Sequence, residues 1–111
     1  MDGKLIIAFN ISKTYNLFIQ GKGSRNSIYD CTRHYWRVAQ KRVELADLAF
    51  GVAHGKVVGV YQPILWRDVE YRDGRRMEFE GVEISDSPYL GMDVSEYFYK
   101  VQSPVRYIGK W

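Results

Sequence analysis

Between Ser27 and Trp36 the chain reads S-I-Y-D-C-T-R-H-Y-W, which places three aromatic rings, an arginine, a histidine, a thiol and two hydroxyls in ten residues. A helix that only fills a core has little use for that mixture. Aromatic planes beside arginine suit a pocket for a flat, electron-rich ligand such as a nucleobase. A further indole, Trp66, follows an apolar hairpin expected to lie close to Trp36. Stacking on Trp36 or Trp66 would contribute about 1–3 kcal/mol per base. The competing use of both rings is to fill the space between helix and sheet, because buried aromatics dominate small cores. Tyr35 and Tyr61 face the same choice.

The candidate phosphate contacts are basic residues around this segment. Arg33 and Arg37 fall at i and i+4 and would share one helix face, placed to touch successive phosphates. Lys22 and Arg25 lie in or beside a Gly-rich loop, close in sequence to Lys13, where a basic loop can follow a nucleic-acid backbone without reading its sequence. The G-K-G within that loop lacks the spacing and the hydroxyl of a P-loop.

Catalytic readings are weaker. Cys31 and His34 at i and i+3 have the spacing of a thiolate–imidazolium pair. No third residue orients them, and Cys31 falls on the apolar face, where a buried, inert thiol is the better account. In a Ser27, Asp30 and His34 triad, Asp30 is more simply a helix cap. Glu78 and Glu80 share one side of a strand opposite Phe79, where paired carboxylates do acid–base work or face solvent. Asp68 and Arg75 are placed to pair across a hairpin. Two histidines and one distant cysteine do not compose a metal site. No catalytic residue, metal or cofactor is assigned, and the chain reads as a binding protein more readily than an enzyme.

The elements that must position these residues follow from local pattern. Lys4 to Ile11 is an apolar, β-branched run and predicts a strand. Gln20 to Asn26, with two glycines, predicts a loop. Ser27 with Asp30 resembles a capping box, so a helix is expected from there toward Arg37, with Ile28, Cys31 and Tyr35 on one face. Lys41 to Ala46 predicts a short second helix. Strands follow over Leu48 to Ala53 and Lys56 to Gln62 about a His54-Gly55 turn, with Pro63 interrupting the ladder or lying at an edge. Leu65 to Arg72 and Arg75 to Ile84 flank Asp73-Gly74, a type I′ hairpin signal. Asp93 and Glu96 form a second capping pair before a helix-spaced set, Val94, Tyr97, Phe98 and Val101. Val105 to Ile108 predicts a closing strand. The order gives an α+β fold, with a curved antiparallel sheet and helices packed on it, and about five or six strands of this length suit a small, partly open barrel.

The 111 residues suit one domain spanning 1–111. At 46% hydrophobic the chain can build a core, and aromatics reach 15%. Net charge is +3, unevenly spread: between Lys13 and Arg42 Asp30 is the one acid among many cations, while Glu78 to Glu96 carries no Lys or Arg. A basic surface over the first third is the expected consequence. No apolar run approaches the roughly 18 residues of a membrane span, and the M-D-G-K-L-I-I-A-F start is too short in its apolar run for a secretory signal. One cysteine rules out an internal disulfide. A cytoplasmic location without a membrane partner, as a monomer or homodimer, is expected.

These segments resemble the PUA-like superfamily, which includes the EVE, YTH and ASCH domains. The resemblance spans roughly residues 4 to 84 and rests on F-N-I-S-K-T-Y (Phe9 to Tyr15), S-I-Y-D-C-T-R-H-Y-W, and A-D-L-A-F-G-V-A-H-G-K-V-V-G-V-Y (Ala46 to Tyr61). A Y-D-x-T-R-x-x-W-R segment, together with R-R-M-E-F-E-G and S-P-V-R-Y-I, is also similar to small uncharacterised bacterial proteins. The superfamily resemblance implies a small curved β-barrel with two or three short helices. It implies binding of RNA, or of modified bases in RNA or DNA, through an aromatic pocket. Carried over by position, Ser12, Lys13, Ser27, Trp36 and Trp66 are the implied pocket residues. A complete aromatic cage does not align, and the lysine-threonine-glutamate set of ASCH hydrolases has no counterpart at matching spacing. The rival readings are a modified-nucleoside hydrolase of ASCH type and a small protein-interaction or inhibitor module.

Overall fold

Two stretches almost free of polar residues form the centre of the sheet. In the computed structural model, which describes residues 1–72 and 74–111, β1 is Ile6–Asn10 and β2 is Leu48–Ala53. Every residue of β2 is buried, as expected of a strand covered on both faces. Alternation then divides the side chains. Ile7 and Phe9 enter one core, and Ile6 and Ala8 enter another on the opposite face.

β1 and β2 run parallel, Ile6 opposite Leu48 and Asn10 opposite Val52. The sheet is therefore mixed, where the sequence predicted it to be antiparallel throughout. The cause is the connection. Three helices, α1 (Ser12–Ile19), α2 (Ile28–Arg33) and α3 (Gln40–Val43), lie between the two strands, and a crossover of that length returns the chain to the starting end. The remaining pairings are antiparallel: β3 (Lys56–Tyr71) on β2, β4 (Gly74–Glu83) on β3, and β5 (Val105–Ile108) on β1. The order is β4-β3-β2-β1-β5, and the five strands curl into a half-barrel. The α+β class and a small curved barrel are what the pattern predicted.

The core within the curl gathers Phe9, Tyr61, Trp66 and Phe79, with Cys31 supplied by α2. On the other face, Phe50, Val60, Tyr89 and Val94 form the second core, covered by Tyr97 and Phe98. The helix predicted across Val94 to Val101 is reduced to a single 3₁₀ turn, Ser95–Tyr97. Asp93 lies just before it, its Oδ1 accepting from the Ser95 amide at 2.9 Å and the Ser95 hydroxyl at 2.6 Å.

The predicted His54-Gly55 turn falls at the junction of β2 and β3. His54 and Gly55 have φ of 52° and 79°, the left-handed pair of a type I′ hairpin. Of the Asp73-Gly74 pair, Asp73 lies outside the described residues, and Gly74 opens β4. β3 runs through Pro63, where its register against β4 shifts between Pro63 and Leu65, the kind of site that tolerates proline. Opposite the shift, a Cβ on Gly81 would meet the Gln62 carbonyl oxygen at 2.5 Å, so glycine allows the two backbones to close.

The helix expected to reach Arg37 stops earlier. Ser27 does cap α2, its Oγ accepting from the Asp30 amide at 2.9 Å, and Asp30 Oδ2 accepts from the Asn26 amide at 3.1 Å. The backbone becomes extended at His34 (φ −156°, ψ 164°). Trp36 then exchanges backbone hydrogen bonds with Met77, 3.0 Å outward and 2.7 Å in return. Tyr35 and Arg37 therefore do not share helix faces with Cys31 and Arg33. Pairing with the edge of β4 replaces the helical hydrogen bonds. Among the described residues, no helix is long and apolar enough to cross a membrane.

Candidate functional site

Trp36 is fixed from three sides. Its backbone pairs with Met77, its indole N–H donates to the Thr32 carbonyl at 2.7 Å, and one ring face stacks on Phe9 at 4.4 Å with 17° between planes. Thr32 is itself fully buried, and its hydroxyl donates to the Ile28 carbonyl at 2.8 Å. The indole is therefore held rigidly, and Trp36, partly exposed, borders two hollows. One, of about 490 Å³, is bounded by Arg37, Gln40, Asp68, Arg75 and Arg76. The other, of about 390 Å³, is bounded by Tyr35, Arg37, Arg76, Ser103 and Pro104.

This surface is basic. Arg75 is paired, its Nε 3.2 Å from Asp68 Oδ1 across the β3–β4 hairpin, as predicted from the sequence. Both partners are mostly exposed, so the pair is weak. Arg76 donates to the Arg75 carbonyl at 2.9 Å. Among the described residues, neither Arg37 nor Arg76 has a carboxylate within 4.0 Å.

An aromatic stack continues the basic face. Tyr35 stacks on Tyr71 at 4.1 Å, with the Arg25 guanidinium 5.4 Å from the Tyr35 ring centre and that of Arg72 5.1 Å from the Tyr71 ring centre. Lys22, Arg25 and Arg72 also border a smaller hollow of about 190 Å³ against α1. The loop cations thus lie on the same side as Tyr35.

Other residues singled out from sequence are placed elsewhere. Trp66 is 6% exposed in the inner core, 5.1 Å from Phe79 and 6.4 Å from Phe9. It borders neither of the hollows at Trp36. Ser12 opens α1 near the β2–β3 turn, where its hydroxyl donates to Asn10 Oδ1 at 2.7 Å and accepts from the His54 amide at 2.9 Å. Lys13 follows it, exposed, and Ser27 serves as the α2 cap. None of these three borders the hollows at Trp36.

Arg33 is bound up in a partly buried ionic cluster. Its Nε donates to the Phe79 carbonyl at 3.0 Å, and its Nη2 lies 3.2 Å from Glu78 Oε2. His34 Nδ1 lies 3.2 Å from the other Glu78 oxygen, and Arg67 reaches both Glu78 and Glu80. Glu78, expected on a solvent-facing side, is only 8% exposed because the end of α2 covers it. His34 Nε2 is 3.0 Å from Asp30 Oδ1, yet its angle makes no hydrogen bond and the atom is buried without one. Burial holds the His34 pKa below the ordinary imidazole value, against the opposing pull of Glu78, with Arg25 adding to the depression. Burial likewise raises the Cys31 thiol, 1% exposed in the core. Among the described residues, no group of three or more His, Cys, Asp or Glu side chains is placed to hold a metal ion.

Sequence reasoning did not single out Gln40, Arg76, Ser103 and Pro104 beside Trp36, or Tyr71 and Arg72 beside Tyr35. The R-R pair at Arg75 and Arg76 was visible, but its meaning depends on Trp36 joining the edge of β4, which no local pattern signals. Compared with protein-family models, with curated proteins and with solved structures, the chain matches none.

Proposed function

We propose that the protein is a nucleic-acid-binding module whose contact surface is the basic groove at Trp36. The observation that carries this reading is a rigidly held Trp36 bordering the same hollows as Arg37 and Arg76, two arginines without a carboxylate partner among the described residues. Such a surface offers a π-face to an unstacked base and charge to the backbone beside it. The second aromatic-cation stack, Tyr35–Tyr71 with Arg25 and Arg72, extends the footprint on the same side. The resemblance of the sequence to PUA-like domains supports the same reading, and a modified base is a target to include.

Fluorescence anisotropy with labelled RNA and DNA oligomers tests it. Binding is expected at low salt and falls steeply as salt rises, because each phosphate contact releases a counterion. Trp36→Ala is expected to weaken binding by roughly 1–3 kcal/mol, the stacking contribution of one base. Since Trp36 also packs on Phe9, Arg37→Ala and Arg76→Ala serve as surface variants that leave the core intact, each reducing the salt slope by about one. No binding to either nucleic acid at low salt overturns the reading.

A further inference from the structure

The two hollows at Trp36 share three residues and differ in the rest, and this division of labour identifies how a strand would lie. Trp36, Arg37 and Arg76 border both hollows. Asp68, Arg75 and Gln40 border only the larger, and Ser103 and Pro104 only the smaller. Resting on the nucleic-acid reading above, we infer that the groove takes two consecutive nucleotides of a single strand, one per hollow, with the phosphodiester between them held by Arg37 and Arg76.

Three physical arguments carry this. Volumes of about 490 and 390 Å³ fall in the range of sites for one small ligand each. On the wall of the larger hollow Asp68 and Arg75 offset each other's charge, so that wall does not attract a phosphate as the free arginines do, and the Asp68 carboxylate suits the amino edge of a base. That leaves the shared ridge, lined by two arginines without a carboxylate partner among the described residues, as the place for the negative charge. The single-strand requirement follows from Trp36. With one indole face on Phe9, at most the other is left for a base, which would reach it by presenting its own face. Bases in a duplex have both faces covered by neighbours, and extruding one is costly.

The test is an anisotropy competition at fixed low salt, using mononucleotides, dinucleotides joined by one phosphodiester, longer single strands and a blunt duplex. The dinucleotide is expected to compete at least about tenfold better than the mononucleotide, with smaller gains per added nucleotide. A methylphosphonate at the single linkage, which removes its charge, is expected to abolish that gain. Arg37→Ala and Arg76→Ala are expected to abolish it too, the dinucleotide losing more affinity than the mononucleotide. Three results each overturn the inference: a duplex that outcompetes the single strand, affinity that grows evenly with every nucleotide, or a neutral linkage that binds as well as the charged one. Salt-sensitive, Trp36-dependent binding accompanied by any of these leaves the broader nucleic-acid reading standing and removes only the two-nucleotide register. No competition by any oligomer removes both.

Discussion

Glu78 shows how one side chain can organise a region. Its two oxygens receive Arg33 at 3.2 Å and His34 at 3.2 Å, so removing it strands a cation and an imidazole in a largely buried place. Glu78→Ala is therefore expected to cost about 3 kcal/mol in denaturant unfolding, because an unpaired buried charge is expensive. A loss below about 1 kcal/mol, the size of a surface pair, would refute the account of the cluster. His34 adds a pH dependence of known sign. Its folded pKa is depressed, chiefly by burial. The unfolded chain protonates near the ordinary value of about 6.5, and the folded chain only below it. Stability from this residue is full above that value and falls as pH drops toward the folded pKa. His34→Gln is expected to flatten the acid limb of a stability-against-pH curve there, and an unchanged slope would contradict the assignment. The residue types of this cluster were legible in S-I-Y-D-C-T-R-H-Y-W, but their partner was not. Glu78 read as solvent-facing because its burial depends on α2 crossing to the edge of β4.

At the scale of elements, the decisive feature is how that edge is closed. β4 is the last strand of the sheet, and an exposed edge would leave donors and acceptors unpaired. Trp36 pairs with Met77, Arg33 Nε donates to the Phe79 carbonyl, and the Gly81 amide donates to the Tyr29 hydroxyl at 3.0 Å. Successive outward groups are thus met by one short segment, and the same contacts set Trp36 against the groove. Tyr29→Phe keeps the ring and removes only the acceptor. It is expected to cost about 1–2 kcal/mol and to increase hydrogen exchange at Gly81, whereas unchanged exchange would show that the hydroxyl does not close the edge. Strands and hairpins were legible, since apolar runs and glycine turns are local signals. α1 was not. Ser12–Ile19 has no side-chain cap and no acid in its first turn, and its helical state is imposed by packing, which outweighs weak propensity. The early stop of α2 was hidden for the same reason, because the extended backbone from His34 is stabilised by a strand distant in sequence.

For the whole molecule, the two cores hold the sheet and a cluster of cations lies beside Trp36. The sheet buries apolar side chains on both sides, and the cations at Arg37, Arg75 and Arg76 gather around Trp36. The sequence displayed a basic first third, but the groove also draws arginines from β4, beyond that segment. A net charge of +3 would itself attract polyanions weakly, so location must be separated from total charge. The discriminating measurement is anisotropy with a labelled single strand at low salt, comparing two doubly reversed variants of equal net charge. Arg37→Glu with Arg76→Glu inverts the groove. Lys4→Glu with Lys110→Glu inverts the opposite end of β1 and β5, where Ile6 pairs with Ile108. The groove variant is expected to lose more than about tenfold in affinity and the distant variant far less. Equal losses in the two, or a groove variant that binds like the unaltered protein, would contradict recognition at Trp36.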